Sequence, residues 1–297
     1  MLQQLVNAGA LGSIYTLFAL GLTLSWGIVN ILNLAHGAIF TAGTVVAYLL
    51  TRDLDGLPLP VVVLAAAAVC ALISMLIEAL VFEQIRKRSR NELDTEMRTL
   101  IASVAAAAML VTVAAVVSHH QPYALPGSLM ERVTWEVGPV RITNVQVVVL
   151  VSALVLAAAL TLFVQRSKYG RALRAIAFDR TAAGLSGVSA RSLQLAAMGL
   201  SGALAGTAGV LLAVYLGAAD AHMGDAYLLK AFAIIILAGV GSLGGTVAFA
   251  YVLAVVETLV GYWAGADLRD AVAFGLIIVV LLVRPQGFTA RGGWQRA

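Results

Sequence analysis

Apolar and polar positions alternate along this chain in long blocks rather than every second or third residue. Apolar runs fall at about 5–28, 34–50, 60–82, 99–117, 145–164, 193–216, 229–240, 246–263 and 271–283. A helix of about 20 residues crosses the hydrocarbon core of a bilayer, whereas barrel strands are ~10 residues long and alternate in polarity. The runs therefore predict membrane-spanning helices, which satisfy their own backbone hydrogen bonds in lipid. The expected fold is all-α: a polytopic integral membrane helical bundle, one domain over residues 1–297, with eight or nine transmembrane segments. The second and seventh runs, about 17 and 12 residues long, are too short for routine crossings and predict interrupted or re-entrant helices.

Two places share one pattern: an apolar run, a polar or glycine-rich break, and a second apolar run. They are residues 17–50, broken around "NLAHG", and residues 231–260, broken around "AGVGSLGGT". Matching interruptions in the two halves of a transporter point to a midplane site, although small residues also simply let helices pack closely. Asn30, Asn33 and His36 stand at i, i+3 and i+6, on one broad face if the helix continues. If it breaks, Gly37 permits the turn and the freed amides and carbonyls line a cavity. Asn30, Asn33, His36 and Gly37, with Gly239, Gly241 and Gly244 of the second break and Glu257 beyond it, are the candidate substrate-pathway residues. The competing reading is that they only satisfy backbone groups at a kink.

Composition sharpens the class: 61% of residues are hydrophobic and 11% charged, with a mean hydropathy of +0.95. Soluble domains carry about 25% charged residues. Three regions hold 14 of the 19 basic residues: the loop "FEQIRKRSRNELDTEMRT", the loop Gln165–Arg191 and the tail after 283. The positive-inside rule makes these cytoplasmic, with the loop 118–143 and its prolines, glycines and tryptophan as an ordered external loop. An odd number of crossings then puts the N-terminus outside; re-entrant pieces would reverse it. The first run has no basic n-region or cleavage site before it and is expected to be a retained spanning helix. Basic runs interleaved with aromatics are absent, which argues against nucleic acid as a partner.

The remaining polar residues are sorted by context. The sole cysteine, Cys70, lies in an apolar run and excludes an intrachain disulfide and a thiolate cluster. Glu78 near the end of its run is expected to snorkel to the cytoplasmic surface, and Glu257 to pair within the bundle with a group the sequence does not identify. His119 and His120 are adjacent and suit a loop better than a shared metal. Asp220, His222 and Asp225 resemble a hard-ion cluster but suit an outer loop touching a partner. No metal site is expected, and no Ser, His and Asp arrangement points to hydrolysis.

In the loop Gln165–Arg191, the stretch "YGRALRAIAFDRTAAG" places Ala172, Leu173, Ile176 and Ala183 at helical spacing, with Arg171, Arg174, Asp179 and Arg180 on other faces. It predicts one short amphipathic helix from Tyr169 to Gly184. Such a helix can lie on anionic lipid, but its small residues suit a protein groove better. A P-loop needs glycine directly before its lysine, and Lys87, Lys168 and Lys230 follow arginine, serine and leucine. The chain is therefore expected not to be an enzyme, and any ATP-driven step needs a partner.

These pieces converge on a family. The run "GLTLSWGIVNILNLAHGAIFTAGTVVAYL" resembles the N-terminal signature of the branched-chain amino acid ABC transporter permeases, in which an apolar stretch leads into an "N-F-A-H-G" element. "KYGRALRAIAFDRTAAGLSGVSA" followed by "GLSGALAGTAGVLLA" is similar to the family's ATPase-coupling loop and next helix; "ILAGVGSLGGTVAFAYVLAVVETL" and "LLVRPQGF" are similar to its C-terminal part. The resemblance implies a bacterial inner-membrane subunit importing branched-chain or related amino acids. It also implies two ATP-binding ABC subunits carrying the ATP and Mg cofactors, a second permease subunit or copy, and an extracytoplasmic solute-binding protein. The coupling residues it indicates are Gly170, Arg171, Arg174, Ala175, Asp179, Ala182 and Gly184. Two departures bear on substrate: Leu34 stands where phenylalanine is common, and Ala38 where an acidic residue is. Importers of urea, amides and aromatic acids share this permease type; a secondary transporter would instead need carboxylates in the core, where only Glu257 is well placed.

Overall fold

The computed structural model describes residues 1–29, 32–54, 56–265, 268–283 and 288. Asn30, Ile31 and nearly all of the "RPQGF" tail, with Arg284, Arg291 and Arg296, lie outside the described residues. The first apolar run forms α1 (Leu2–Leu24), extended by a π-helical turn at Ser25–Val29; past the break, α2 runs Ala35–Asp53. Pro60 sits in the first turn of α3 (Leu59–Ile77), where a missing N–H costs nothing. A second π turn (Glu78–Phe82) carries α3 into α4 (Glu83–Arg88). Asn91 starts α5 (Glu92–Val117), its side chain accepting from the Asp94 amide at 2.8 Å.

The connection to the next helix contains an antiparallel hairpin, β1 (Thr134–Val137) and β2 (Val140–Thr143), with Trp135 opposite Ile142. The fold is all-α apart from this loop hairpin, in which the β-branched and aromatic residues of "VTWEVGPVRIT" pair across a glycine turn at Gly138, φ +61°. Thr143 and Gln146 form a reciprocal capping box that starts α6 (Asn144–Arg166). Then come α7 (Lys168–Phe178), α8 (Arg180–Leu185), α9 (Ala190–Leu216), α10 (Met223–Ala238), α11 (Leu243–Trp263) and α12 (Arg269–Val283).

Among the described residues, six helical stretches are long and apolar enough to cross a membrane: Leu2–Gly27, Leu59–Arg88, Glu92–Val117, Asn144–Arg166, Ala190–Leu216 and Leu243–Trp263. The runs read as possible half-helices are continuous helices of 19 residues (α2) and 16 residues (α10). In α9 83% of the most apolar stretch is buried in the protein, against 11% in α5, so α9 is a central post and α5 an outer stave. Its glycines make that burial possible. A Cβ on Gly202 would stand 2.4 Å from the Cys70 carbonyl oxygen of α3, and one on Gly209 2.2 Å from the Phe40 carbonyl oxygen of α2. Cys70 is fully buried at this seam, its thiol 3.4 Å from the Ile39 carbonyl oxygen.

The two basic loops share one end of the bundle. Arg191, at the start of α9, reaches Glu83 of α4 at 3.0 Å, and Leu173 of α7 packs with Phe82, Ala197 and Met198. The opposite end gathers the N-terminus and the hairpin: Gln3 exchanges side-chain hydrogen bonds of 2.9 and 2.8 Å with the Arg141 backbone. Tyr123 bridges to Ala219 there through paired backbone bonds.

Candidate substrate route and coupling elements

At the first break, the Asn33 side-chain oxygen accepts from the Ala35 amide at 3.0 Å and its carbonyl accepts from the His36 amide at 3.3 Å. This is an Asx turn, in which asparagine replaces the hydrogen bonds of the missing helical turn and starts α2. Asn33 is fully buried, and its Nδ2 has no hydrogen-bond partner among the described residues. His36, also fully buried, stacks on Phe18 at 4.7 Å and 18°. Its Nε2 lies 3.1 Å from the Phe18 carbonyl oxygen, which can only accept. The hydrogen-bond pattern thus assigns the proton to Nε2 and leaves Nδ1, 3.4 Å from the Ser201 hydroxyl, as acceptor. His36 therefore pins α2 between α1 and α9. Gly37 faces α10, where a Cβ would meet the Gly224 carbonyl oxygen at 2.7 Å, and Thr41 Oγ1 accepts from the Gly224 amide at 3.0 Å.

At the second break, Gly239 and Gly241 have φ of +89° and +86°, a region that side chains disfavour, and Ser242 caps α11 by accepting from the Gly245 amide at 3.2 Å. The two breaks meet. A Cβ on Gly27 would lie 2.8 Å from Gly241 Cα, Trp26 packs edge-on against Phe232, and Thr23 bonds Thr246 at 3.0 Å. Gly244 has open space around the position of a Cβ.

Glu257 has a partner that sequence reasoning missed. Lys230 of α10 forms an ion pair with its Oε1, and the Tyr15 hydroxyl of α1 donates to Oε2 at 2.8 Å. The ammonium also lies over the Tyr15 and Tyr227 rings, 5.7 and 5.4 Å from their centroids. Lys230, Glu257 and Tyr15 are each buried. The available signal was that Lys230 is the one lysine inside an apolar run, since an intramembrane charge requires a partner. Glu78, expected to snorkel, is instead buried and paired with Arg86.

The predicted single helix Tyr169–Gly184 is two helices, because Asp179 leaves the helical region (φ −149°, ψ 108°) and its side chain accepts from the Ala182 amide at 2.9 Å. Aspartate competes for backbone amides in this way at helix starts. Ser167 caps α7 through the Gly170 amide at 2.8 Å. A Cβ on Gly170 would lie 2.4 Å from the carbonyl oxygens of both Phe163 and Val164, so glycine lets α7 fold tightly onto the end of α6. Arg171 and Arg174 donate to the carbonyls of Arg166 and Gln165 at 3.1 and 3.2 Å, placing positive charge at the α6 C-terminus. Leu173 and Ile176 face inward, and α7 packs against the π turn beside the first break. Ala175, Ala182 and Gly184 face outward, beside Tyr169, Phe178 and Leu185, which are 54%, 79% and 87% exposed. These three apolar side chains were not among the expected coupling residues.

The polar clusters of the connecting loops are placed at the surface. The His222 amide donates to Asp220 at 2.8 Å and its ring Nδ1 lies 3.2 Å from Asp225, while His119 and His120 end α5 with φ of +52° and +57°. Burial pushes the Tyr123 phenol up to about 12, against the opposing pull of its hydrogen bond with Thr44.

Fold and site together define a polytopic helical membrane protein whose two interrupted segments meet inside the bundle, with a short amphipathic helix beneath them. The family model described as branched-chain amino acid transport system, permease component, matches residues 4–281, and the chain belongs to this family of ABC transporter permeases. It is 30% identical over 302 residues to the high-affinity branched-chain amino acid transport system permease protein LivH of Escherichia coli K12, covering 98% of this chain and 96% of that one. The corresponding figures for BraD of Pseudomonas aeruginosa are 32% over 304 residues, with 98% and 96% covered. A probable LivH of Methanocaldococcus jannaschii is 27% identical over 302 residues, covering 97% and 92%. Among solved structures, a chain of PsaBC from Streptococcus pneumoniae in complex with Fab has a TM-score of 0.50 at 16% identity, covering 96% of this chain and 92% of that one. That likeness concerns the fold.

Proposed function

We propose that this permease is the transmembrane subunit of an ATP-driven importer that receives branched-chain or related amino acids from a solute-binding protein. The observation that carries the reading is α7: it is folded rigidly onto α6 through Gly170, touches the π turn beside the first break, and presents Phe178 and Leu185 outward. Two ATPase subunits, holding ATP and Mg, would grip this surface and its counterpart on a second permease subunit. Their closure would move α7, and with it the wall of the route, through differential contacts in two states. The substrate route follows Asn33 and Gly37 on one side and Gly239, Gly241 and Gly244 on the other, with His36 and Glu257 holding its walls. Glu257 is occupied by Lys230 and Tyr15, which leaves it unavailable to the coupling ion of a secondary transporter.

Nine helical passages, with the basic loops in the cytoplasm of a bacterial cell and the hairpin and N-terminus outside, accord with the charge distribution and the two gathered ends. In a Cys70→Ala background, a cysteine at Trp135 is expected to react with an impermeant maleimide in intact cells and one at Leu185 only after permeabilisation; the reverse pattern would overturn this orientation. Reconstitution with its partner subunits should give ATP-dependent leucine uptake, with urea and benzoate as discriminating substrates because Ala38 stands where an acidic residue could read an amine. Asn33→Ala and His36→Ala are each expected to lower that uptake at normal expression, and unchanged kinetics in both would remove these residues from the route.

A further inference from the structure

At the basic end of the bundle, a cavity of about 380 Å³ opens between α4 and the start of α9, lined by Glu83, Arg86, Lys87, Arg191 and Gln194. Nothing in the transport reading uses it. Arg86 is held at one corner by Glu78, yet its Nε and Nη1, like the second Glu78 carboxylate oxygen, are buried without a hydrogen-bond partner among the described residues. Leaving such donors unsatisfied is costly, and guanidinium forks match phosphate oxygens. Lys87 and Arg191 both hold Glu83, at 2.6 and 3.0 Å, while their side chains remain 58% and 67% exposed at the mouth. With Glu78 and Glu83 against Arg86, Lys87 and Arg191, the site carries one net positive charge. The volume is about tenfold that of a water, whose share of liquid is ~30 Å³.

We propose that this cavity binds the phosphate headgroup of an anionic phospholipid of the inner leaflet. Two features favour lipid over free phosphate. Leu76 and Leu80, 55% and 68% exposed, lead along α3 and its π turn to the cavity and offer a track for acyl chains. The site also lies at the basic end that orientation places in the cytoplasm, where pockets between helices take anionic headgroups; the proposal rests on that orientation. The bound phosphate would tie α4 to α9, the two elements whose Phe82 flank and Met198 clasp Leu173 of α7. Lipid would thereby set how firmly the coupling helix is seated.

The test uses the delipidated full-length permease in a neutral detergent, with no ATPase, so its outcome is independent of the importer reading. Phosphatidylglycerol is expected to bind and raise the unfolding temperature, phosphatidylcholine to do neither, and inorganic phosphate to protect only at far higher concentration. Lys87→Gln/Arg191→Gln, which removes the two cations at the mouth and leaves Glu83 unpaired, should weaken phosphatidylglycerol binding at least tenfold. Glu78→Gln/Arg86→Gln, which removes the buried pair together, should do the same. Equal binding of the two lipids, unchanged binding in both double variants, or equal protection by inorganic phosphate would each overturn the lipid assignment.

Discussion

A Lys230→Met variant is expected to melt well below the parent and to lose at least about 100-fold in uptake. Removing one partner of a buried ion pair strands the other charge, at about 3–5 kcal/mol, or roughly two to four orders of magnitude in an equilibrium constant. Here the stranded group is Glu257, buried between α10, α11 and α1, where the Tyr15 hydroxyl also donates to it. Tyr15 alone is a neutral donor and cannot compensate a carboxylate. The double variant Lys230→Met/Glu257→Gln removes both charges with little change of shape and should recover most of the melting temperature. Uptake measured on the same samples then separates two roles. If the pair only holds the helices, uptake returns with stability; if the walls of the route must part there, the double variant is stable and inactive. A single variant as stable and active as the parent would show that the pair does neither.

Gly170→Ala is the second large effect. One methyl group placed 2.4 Å from two carbonyl oxygens cannot be absorbed by a side-chain rotation, because both obstacles are backbone. The α7 helix must lift off α6, losing the Arg171 and Arg174 bonds to the α6 carbonyls. Overpacking of this kind costs about 1–3 kcal/mol, and falls here on the helix proposed to carry the coupling movement. Transport-coupled ATP hydrolysis is expected to drop about tenfold while membrane insertion and expression stay normal. Normal coupling in Gly170→Ala would remove α7 from the transmission path.

What the sequence made legible follows the strength of the physics behind each feature. Long apolar runs produced the spanning helices because burial in lipid overrides local preference, and the basic loops appeared together at one end because charge is excluded from the bilayer. Both breaks were readable, since asparagine and glycine announce themselves locally. Their meeting at Gly27 and Gly241 was not, because contacts between residues 214 apart leave no local trace. The same holds for the Lys230–Glu257 pair. The division of α7 from α8 hung on one aspartate choosing to cap rather than to continue, a competition of small energies that periodicity cannot decide. The hairpin was hidden by the expectation of helices alone, although Val133–Val137 and Val140–Thr143 are rich in β-branched residues.

The contact between Gly27 and Gly241 has a mechanical consequence. Where side chains interlock, as Cys70 does against the α9 glycines, two helices can move only in jumps between rotamers. Backbone against backbone offers no teeth. At this point the two interruptions touch without interdigitating side chains, so that the stroke proposed for α7 would be resisted there by the flanking Trp26–Phe232 and Thr23–Thr246 contacts rather than by the glycines themselves.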